Sequence, residues 1–289
     1  MLSVVVCLYA FVVGAVTGSF LNVCIHRLPR GFLLHRPPSH CPFCNEPIRW
    51  HDNIPVVSYL LLGRRCRFCG VRISPRYALV EALTGALFAY VAWRTACGAE
   101  ADYARLGVYS GLAAALVAAS FVDLEFRIIP DEISLPGAVL APVVSLLLPS
   151  LHDLRDPIFV VPLARALGSD SLHLSALIAS LMGMVLGAGV IWALRVIGRA
   201  LFRKEAMGLG DVKLMAFVGG LLGWKLALLA IVLASFIGAA VGLVVLAVTR
   251  ERRIPFGPYL SAGSLLAALH AGDVARLFDL VASALRPSL

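Results

Sequence analysis

The chain is 289 residues long, 60% hydrophobic and only 15% charged, with a mean hydropathy of +0.89. Soluble domains average about 45–50% apolar and about 25% charged residues, so a soluble enzyme and a disordered chain are both excluded. The net charge of +8 does not point to nucleic acid, because the arginines sit in short loops between apolar stretches, the pattern that sets membrane orientation.

Apolar intervals near the roughly 20 residues that cross a bilayer as helix predict spans at 2–24, 77–97, 106–122, 133–151, 172–194, 212–222, 225–248 and 257–271. Ala15-Val16-Thr17 weakly resembles a signal cleavage site, but no positive residue precedes the first stretch. A secretory signal needs that n-region, so the stretch reads as a retained span. The connection 26–76 holds nine arginines against Glu46 and Asp52, which places it in the cytoplasm. Connections 98–105 and 152–171 are poor in positive charge and fall outside, whereas 195–210 and 249–256 carry four and three cations and return inside.

The sixth interval is the shortest, with 11 residues, about 17 Å of helix against a hydrocarbon core of about 30 Å. Charge parity still requires it to cross; six or seven spans is the alternative. The expectation is an all-α, polytopic integral membrane protein of about eight transmembrane helices, with the N-terminus outside. It divides into a first helix (1–25), a small cytoplasmic zinc-binding insertion (26–76) and a membrane core (77–289). No internal repeat or low-complexity segment stands out.

Within the basic connection lie Cys41-Pro-Phe-Cys44 and Cys66-Arg-Phe-Cys69-Gly70, two C-x2-C pairs 21 residues apart. Each pair can wrap a tight turn and offer two thiolates to one tetrahedral ion, which is close to the four-cysteine zinc signature. Disulfides are the competing use, disfavoured in a reducing compartment; a redox pair lacks the βαβ context it needs. With four thiols available, His26, His35, His40 and His51 read as spectators. Cys7, Cys24 and Cys97 read as small apolar residues of the spans.

Ionisable groups at membrane spans are expensive and mark function. Asp123 follows the third span in Phe121-Val-Asp-Leu-Glu-Phe, and Asp211 opens the sixth in Met207-Gly-Leu-Gly-Asp-Val-Lys213. The charge-derived topology puts both at cytoplasmic helix ends. Two carboxylates that approach closely cannot both ionise easily. One can then take a proton from water while the other gives one to a carbonyl, the acid–base pair of aspartic proteolysis. Gly208 and Gly210 would let the backbone turn sharply and approach a peptide. The plainer readings stay open: Asp211 as an N-cap for 212–222, Asp131 or Glu132 as a cap for the fourth span, and Lys213 as a partner that neutralises Asp211.

Taken in order, Gly18-Ser-Phe-Leu-Asn-Val-Cys-Ile-His-Arg-Leu-Pro29, the two cysteine pairs, Ile73-Ser-Pro-Arg-Tyr-Ala-Leu-Val-Glu81, Asp123 with Ile129-Pro-Asp131, Gly208-Leu-Gly-Asp-Val-Lys213 and Ile254-Pro-Phe-Gly-Pro258 resemble the prepilin peptidases over nearly the whole chain. The resemblance implies an inner-membrane aspartic peptidase of the G-x-G-D type with Asp123 and Asp211 as its catalytic pair. Prepilins or pseudopilins, with short basic leaders ending in glycine, would be cut at the cytoplasmic face. Because the cysteine-bearing loop is present, the resemblance also implies N-methylation of the new N-terminus with S-adenosylmethionine. No G-x-G-x-x-G follows a strand, so no Rossmann-type cofactor site is visible. Asn22 and Glu81 are polar groups near the membrane that could serve substrate or cofactor, or helix packing. The alternatives are a peptidase alone, a zinc-stapled assembly protein that binds pilins without cutting them, and a transporter. A scaffold does not require the aspartate pair, and a transporter would spread its charges along a path through the spans. Oligomeric state and the separation of the carboxylates are not legible.

Overall fold

The computed structural model describes residues 2–35, 38–98, 101–152, 154, 160–167, 171–202, 207–249 and 254–285. Regular structure among them is helical: α1 (Leu2–Arg27), α2 (Val57–Leu61), α3 (Pro75–Ala96), α4 (Tyr103–Phe126), α5 (Asp131–Leu147), α6 (Val160–Ala166), α7 (Leu172–Phe202), α8 (Leu209–Leu222), α9 (Trp224–Thr249) and α10 (Gly257–Leu285). Internal contacts gather into two units, Met1–Ile133 and Ser134–Leu289.

In the first unit, α1 packs against α3. A Cβ on Gly14 would lie 2.7 Å from Phe88 Cβ, and one on Gly18 would lie 2.7 Å from Glu81 Cα. Two glycines four apart thus bring the backbones together, the small-residue contact of membrane helices. The pairs run in opposite senses, so the helices are antiparallel; Cys7 and Cys97 Sγ meet at 3.7 Å near their other ends. Leu21, Ile25 and Val80 join Val117, Ala118 and Val122 of α4 in a buried cluster. Ser74 caps α3, accepting the Arg76 N–H at 3.4 Å ahead of Pro75, and Asp102 caps α4 through the Arg105 N–H at 2.8 Å. Both are helix starts of the expected chemistry.

In the second unit, α8 is the central element. Leu214, Met215 and Val218 are fully buried, which suits a helix apolar on every side. Gly183 of α7 and Gly219 of α8 approach so closely that a Cβ on either would overlap the other's backbone carbonyl, and a Cβ on Gly137 of α5 would meet the Phe217 ring at 2.6 Å.

Each of the eight expected intervals contains a helix, with shifted ends. α5 stops at Leu147 instead of 151, because Leu148 precedes Pro149 and is driven out of helical geometry (φ −125°, ψ 73°), as the proline ring requires. α7 runs on from 194 to Phe202, its Arg195 and Arg199 being good helix formers. α8 begins three residues before 212 and has 14 residues, about 21 Å. α10 passes 271 with a kink at His270 (φ −122°, ψ 16°). Among the described residues four helices are long and apolar enough to cross a membrane, within Ser3–Arg30, Tyr103–Phe126, Leu172–Leu201 and Trp224–Val248. The loop charges at Arg36, Glu100, Asp153, Arg155, Asp156, Asp170, Arg203, Lys204, Glu205 and 250–253 lie outside the described residues.

Candidate active site and metal centre

The two cysteine pairs form matching knuckles. Cys41 N–H donates to Glu46 O at 2.9 Å and Cys66 N–H to Val71 O at 2.8 Å; Asn45 and Gly70 return N–H bonds to the Cys41 and Cys66 carbonyls at 2.9 and 3.0 Å. Asn45 (φ 57°) and Gly70 (φ 69°) are left-handed, a conformation these residue types tolerate. His40–Pro47 and Arg65–Arg72 bridges close the two turns. The four Sγ atoms lie within 4.8 Å of one another, with Cys41 and Cys69 at 3.9 Å. A tetrahedral zinc with bonds of about 2.3 Å sets sulfurs roughly 3.8 Å apart, so the donor set fits that ion in number, type and spacing. N–H groups of Cys69 and Phe68 hold the Cys66 thiol down at about 7. The N–H of Glu46 lowers the Cys44 thiol, but burial and the other three sulfurs push it up to about 12. Four thiols crowded this way shed protons together only when a cation compensates them. Among the described residues no histidine joins the cluster. Arg67 makes a two-toothed pair with Asp52 at 2.8 and 2.6 Å that ties the second knuckle to the turn at Trp50–Asn53.

Beside this centre lies an open cavity of about 1950 Å³ within the first unit, lined by Ser19, Asn22, Tyr59, Arg64, Phe68 and Glu81 among others. Asn22 Nδ2 donates to Tyr77 O at 3.0 Å, while its Oδ1 is buried without a hydrogen-bond partner. Glu81 is only 9% exposed, and its Oε2 accepts the Val56 N–H at 2.8 Å. That N–H comes from a tight turn: Val57 N–H donates to Pro55 O at 2.6 Å around Val56 at φ 63°, ψ −48°. A γ-turn of this hand is rare and strained, more so at a β-branched residue. Sequence reasoning singled out Asn22 and Glu81 but not this turn, which no periodicity announces.

Asp123 and Asp211 are each 7% exposed. Asp123 sits in the last turn of α4 rather than beyond it, and its carbonyl accepts the N–H of left-handed Arg127 at 2.8 Å. Two residues on, Glu125 pairs with Arg76 at the start of α3 and lies 3.9 Å from Arg30. In the second unit Asp211 is not the N-cap. Gly208 holds that position and Asp211 is the third helical residue, its Oδ2 accepting the Gly208 N–H at 3.1 Å. Gly208 has φ −75°, ψ 158°, extended backbone open to any residue, so the sharp-turn reading of this glycine is corrected. A Cβ there would meet nothing closer than Asp211 Oδ2 at 3.5 Å, so folding does not demand glycine at this position. Gly210 lies within the first turn of α8, and Lys213 is half-buried on the same helix. Arg195 Nε donates to Met207 O at 3.0 Å, anchoring the approach to Gly208, a link that the sequence did not reveal.

Residues 12–95 match the bacterial peptidase A24 N-terminal domain and residues 110–243 the type IV leader peptidase family. The chain is 34% identical to the prepilin leader peptidase/N-methyltransferase of Stutzerimonas stutzeri, over 92% of this chain and 91% of that one. Identity to the protein of the same description from Pseudomonas aeruginosa is 32%, over 94% and 92%, and to that from Neisseria gonorrhoeae 35%, over 87% and 86%. No solved structure matches. A chain that carries both domains in order, with relatives aligned almost end to end, belongs to the type IV leader peptidase family.

Proposed function

We propose that this protein is a prepilin peptidase of the bacterial inner membrane that cuts the leader from type IV prepilins or type II secretion pseudopilins at the cytoplasmic face and N-methylates the new N-terminus. The reading is supported chiefly by two buried carboxylates, Asp123 and Asp211, both inside the segment matching the peptidase family. One carboxylate, ionised, takes a proton from the attacking water; the other, neutral, donates to the scissile carbonyl oxygen. Aspartic chemistry needs this division of protonation states. Gly208 and Gly210 carry no side chains on either side of Leu209 just before Asp211, and Lys213 completes the family's Gly208-Leu-Gly-Asp-Val-Lys213 pattern.

Eight crossings with the N-terminus outside follow from loop charge and would set the basic loop and both aspartates on the cytoplasmic side. The Cys41, Cys44, Cys66 and Cys69 centre would hold Zn²⁺ as a structural staple. The methyl donor would be S-adenosylmethionine, which supplies an electrophilic methyl group to the freed amine. The orphaned Asn22 Oδ1 and the cavity beside it fit a polar ligand of that kind. The test is cleavage of a synthetic prepilin by purified protein: Asp123→Asn and Asp211→Asn should each remain folded and inactive. Substantial cleavage by either variant would remove that residue from the role. A protein that binds prepilin tightly without cutting it would favour the assembly reading.

A further inference from the structure

By residue type alone Cys7 and Cys97 are small apolar members of two helices, yet the structure brings them together. Their Sγ atoms lie 3.7 Å apart although 90 positions separate them in the chain, at the ends of α1 and α3 remote from the four-cysteine loop. Cys97 directly follows α3 and lies against one turn of α1. Its S–H donates to Ser3 O at 3.6 Å, and Cys7 stands four residues on, on the same helix face. Glycines hold the two helices in this register: a Cβ on Gly14 or Gly18 would crowd α3 at 2.7 Å, and one on Gly85 would come within 3.0 Å of Phe11 O. A disulfide bond measures about 2.05 Å, so closure shortens the 3.7 Å separation by roughly 1.7 Å. Rotation of the two side chains about Cα–Cβ supplies a movement of that size without shifting either backbone.

The surroundings suit oxidation. Both cysteines are half-buried, and a Cβ on Gly98 would meet nothing within 4 Å, so the backbone beside Cys97 is open to an approaching oxidant. The connection 98–105 that follows sets Glu100 and Asp102 against Arg105, the poverty in positive charge of an outer loop. The outer side of a bacterial inner membrane is where disulfides form and persist. Cys24, by contrast, is buried towards the other end of α1, and the four knuckle sulfurs have a metal to hold. The seven cysteines thus sort into an outer pair, a metal set and one buried thiol. The outer half of α1 also stands to gain from a tether, because Val4, Val5, Leu8 and Tyr9 are exposed and leave it resting on protein along one side only.

Building on the outward N-terminus of the reading above, we propose that Cys7 and Cys97 form a disulfide that staples the outer ends of α1 and α3, made by a disulfide-bearing oxidant of the periplasm. The Cys97 thiolate attacks one sulfur of that oxidant and expels the other as a thiolate; Cys7 then attacks Cys97 Sγ and releases the second oxidant sulfur. Two electrons and two protons pass from the pair to the oxidant, which leaves as a dithiol. The experiment reads the oxidation state of each cysteine in the full-length chain. Membranes from expressing cells are denatured in N-ethylmaleimide, reduced and relabelled with the deuterated reagent, and the label at each site is identified by peptide mass. Cys7 and Cys97 should carry the second label, and Cys24, Cys41, Cys44, Cys66 and Cys69 the first. Cys97→Ser should return Cys7 to the first label and leave leader cleavage equal to that of wild type. The same reading on purified, zinc-loaded protein in detergent with glutathione disulfide separates geometry from orientation. First label on both cysteines in cells, with closure in detergent, overturns the proposal through its orientation. First label in both settings overturns the pairing and leaves the orientation standing.

Discussion

The N–H of Gly208 donates to Asp211 Oδ2 at 3.1 Å, so the carboxylate proposed for catalysis also closes the first turn of α8. An amide oxygen can accept the same bond, whereas a methyl group cannot. Asp211→Asn should therefore keep the helix start and lose cleavage by a factor on the order of 10³. Asp211→Ala should lose cleavage and about 1 kcal/mol of stability as well. Thermal unfolding in detergent beside a cleavage assay separates the two effects. Equal unfolding of the Asn and Ala variants would show that the cap contributes nothing.

The four-cysteine centre makes a metal-content statement. Wild type should carry about one zinc per chain, and Cys41→Ser with Cys44→Ser should carry almost none. Because metal affinity becomes folding free energy in such modules, the variant's loop between residues 38 and 72 should be cut far faster by protease. Metal analysis after purification checks the first part; a double variant with full zinc contradicts the assignment.

His152 lies beyond the end of α5 and is only 8% exposed. Ser145 donates to Ala141 O at 2.8 Å, so His152 Nε2–H donates to Ser145 Oγ, also at 2.8 Å, and Nδ1 has no partner. Burial lowers this imidazole to about 4 from an ordinary value of about 6.5. Between those values the unfolded chain binds a proton that the folded chain does not, so stability is full above about pH 6.5 and falls as pH drops toward 4. The loss is about 3 kcal/mol. A His152→Gln variant should lack this slope in urea titrations run across that range. An identical slope in both proteins would place the titrating group elsewhere.

Cys97 caps the C-terminal end of α3, 3.7 Å from Cys7 of α1, and the proposed topology sets it on the outer face. After mild reduction, a membrane-impermeant maleimide should label Cys97 in spheroplasts, and Cys69, in the basic loop, only once the membrane is opened and the zinc is stripped by a chelator. The reverse order inverts the orientation.

How far the sequence reached is visible in particular residues. The knuckle cysteines were found because a tetrahedral ion constrains local spacing, and the structure draws their sulfurs within 4.8 Å. Every expected span holds a helix because apolar length is a property of composition along the chain. Helix ends depended on finer effects. Leu148 leaves the helix because of Pro149, a signal present in the sequence but outweighed by apolar length. The start of α8 at Leu209 was hidden because Gly208 takes the cap and Asp211 reaches back to it. The Val56–Glu81 and Arg195–Met207 bonds join a side chain to a distant backbone group, and no local pattern encodes them.

The most direct test of the peptidase assignment is the mass of a prepilin after incubation with purified protein and S-adenosylmethionine, with Asp123→Asn and Asp211→Asn run alongside. Wild type should remove the leader and add about one methyl group, and both variants should leave the substrate intact. An unchanged mass with folded wild-type protein and an intact substrate would contradict it.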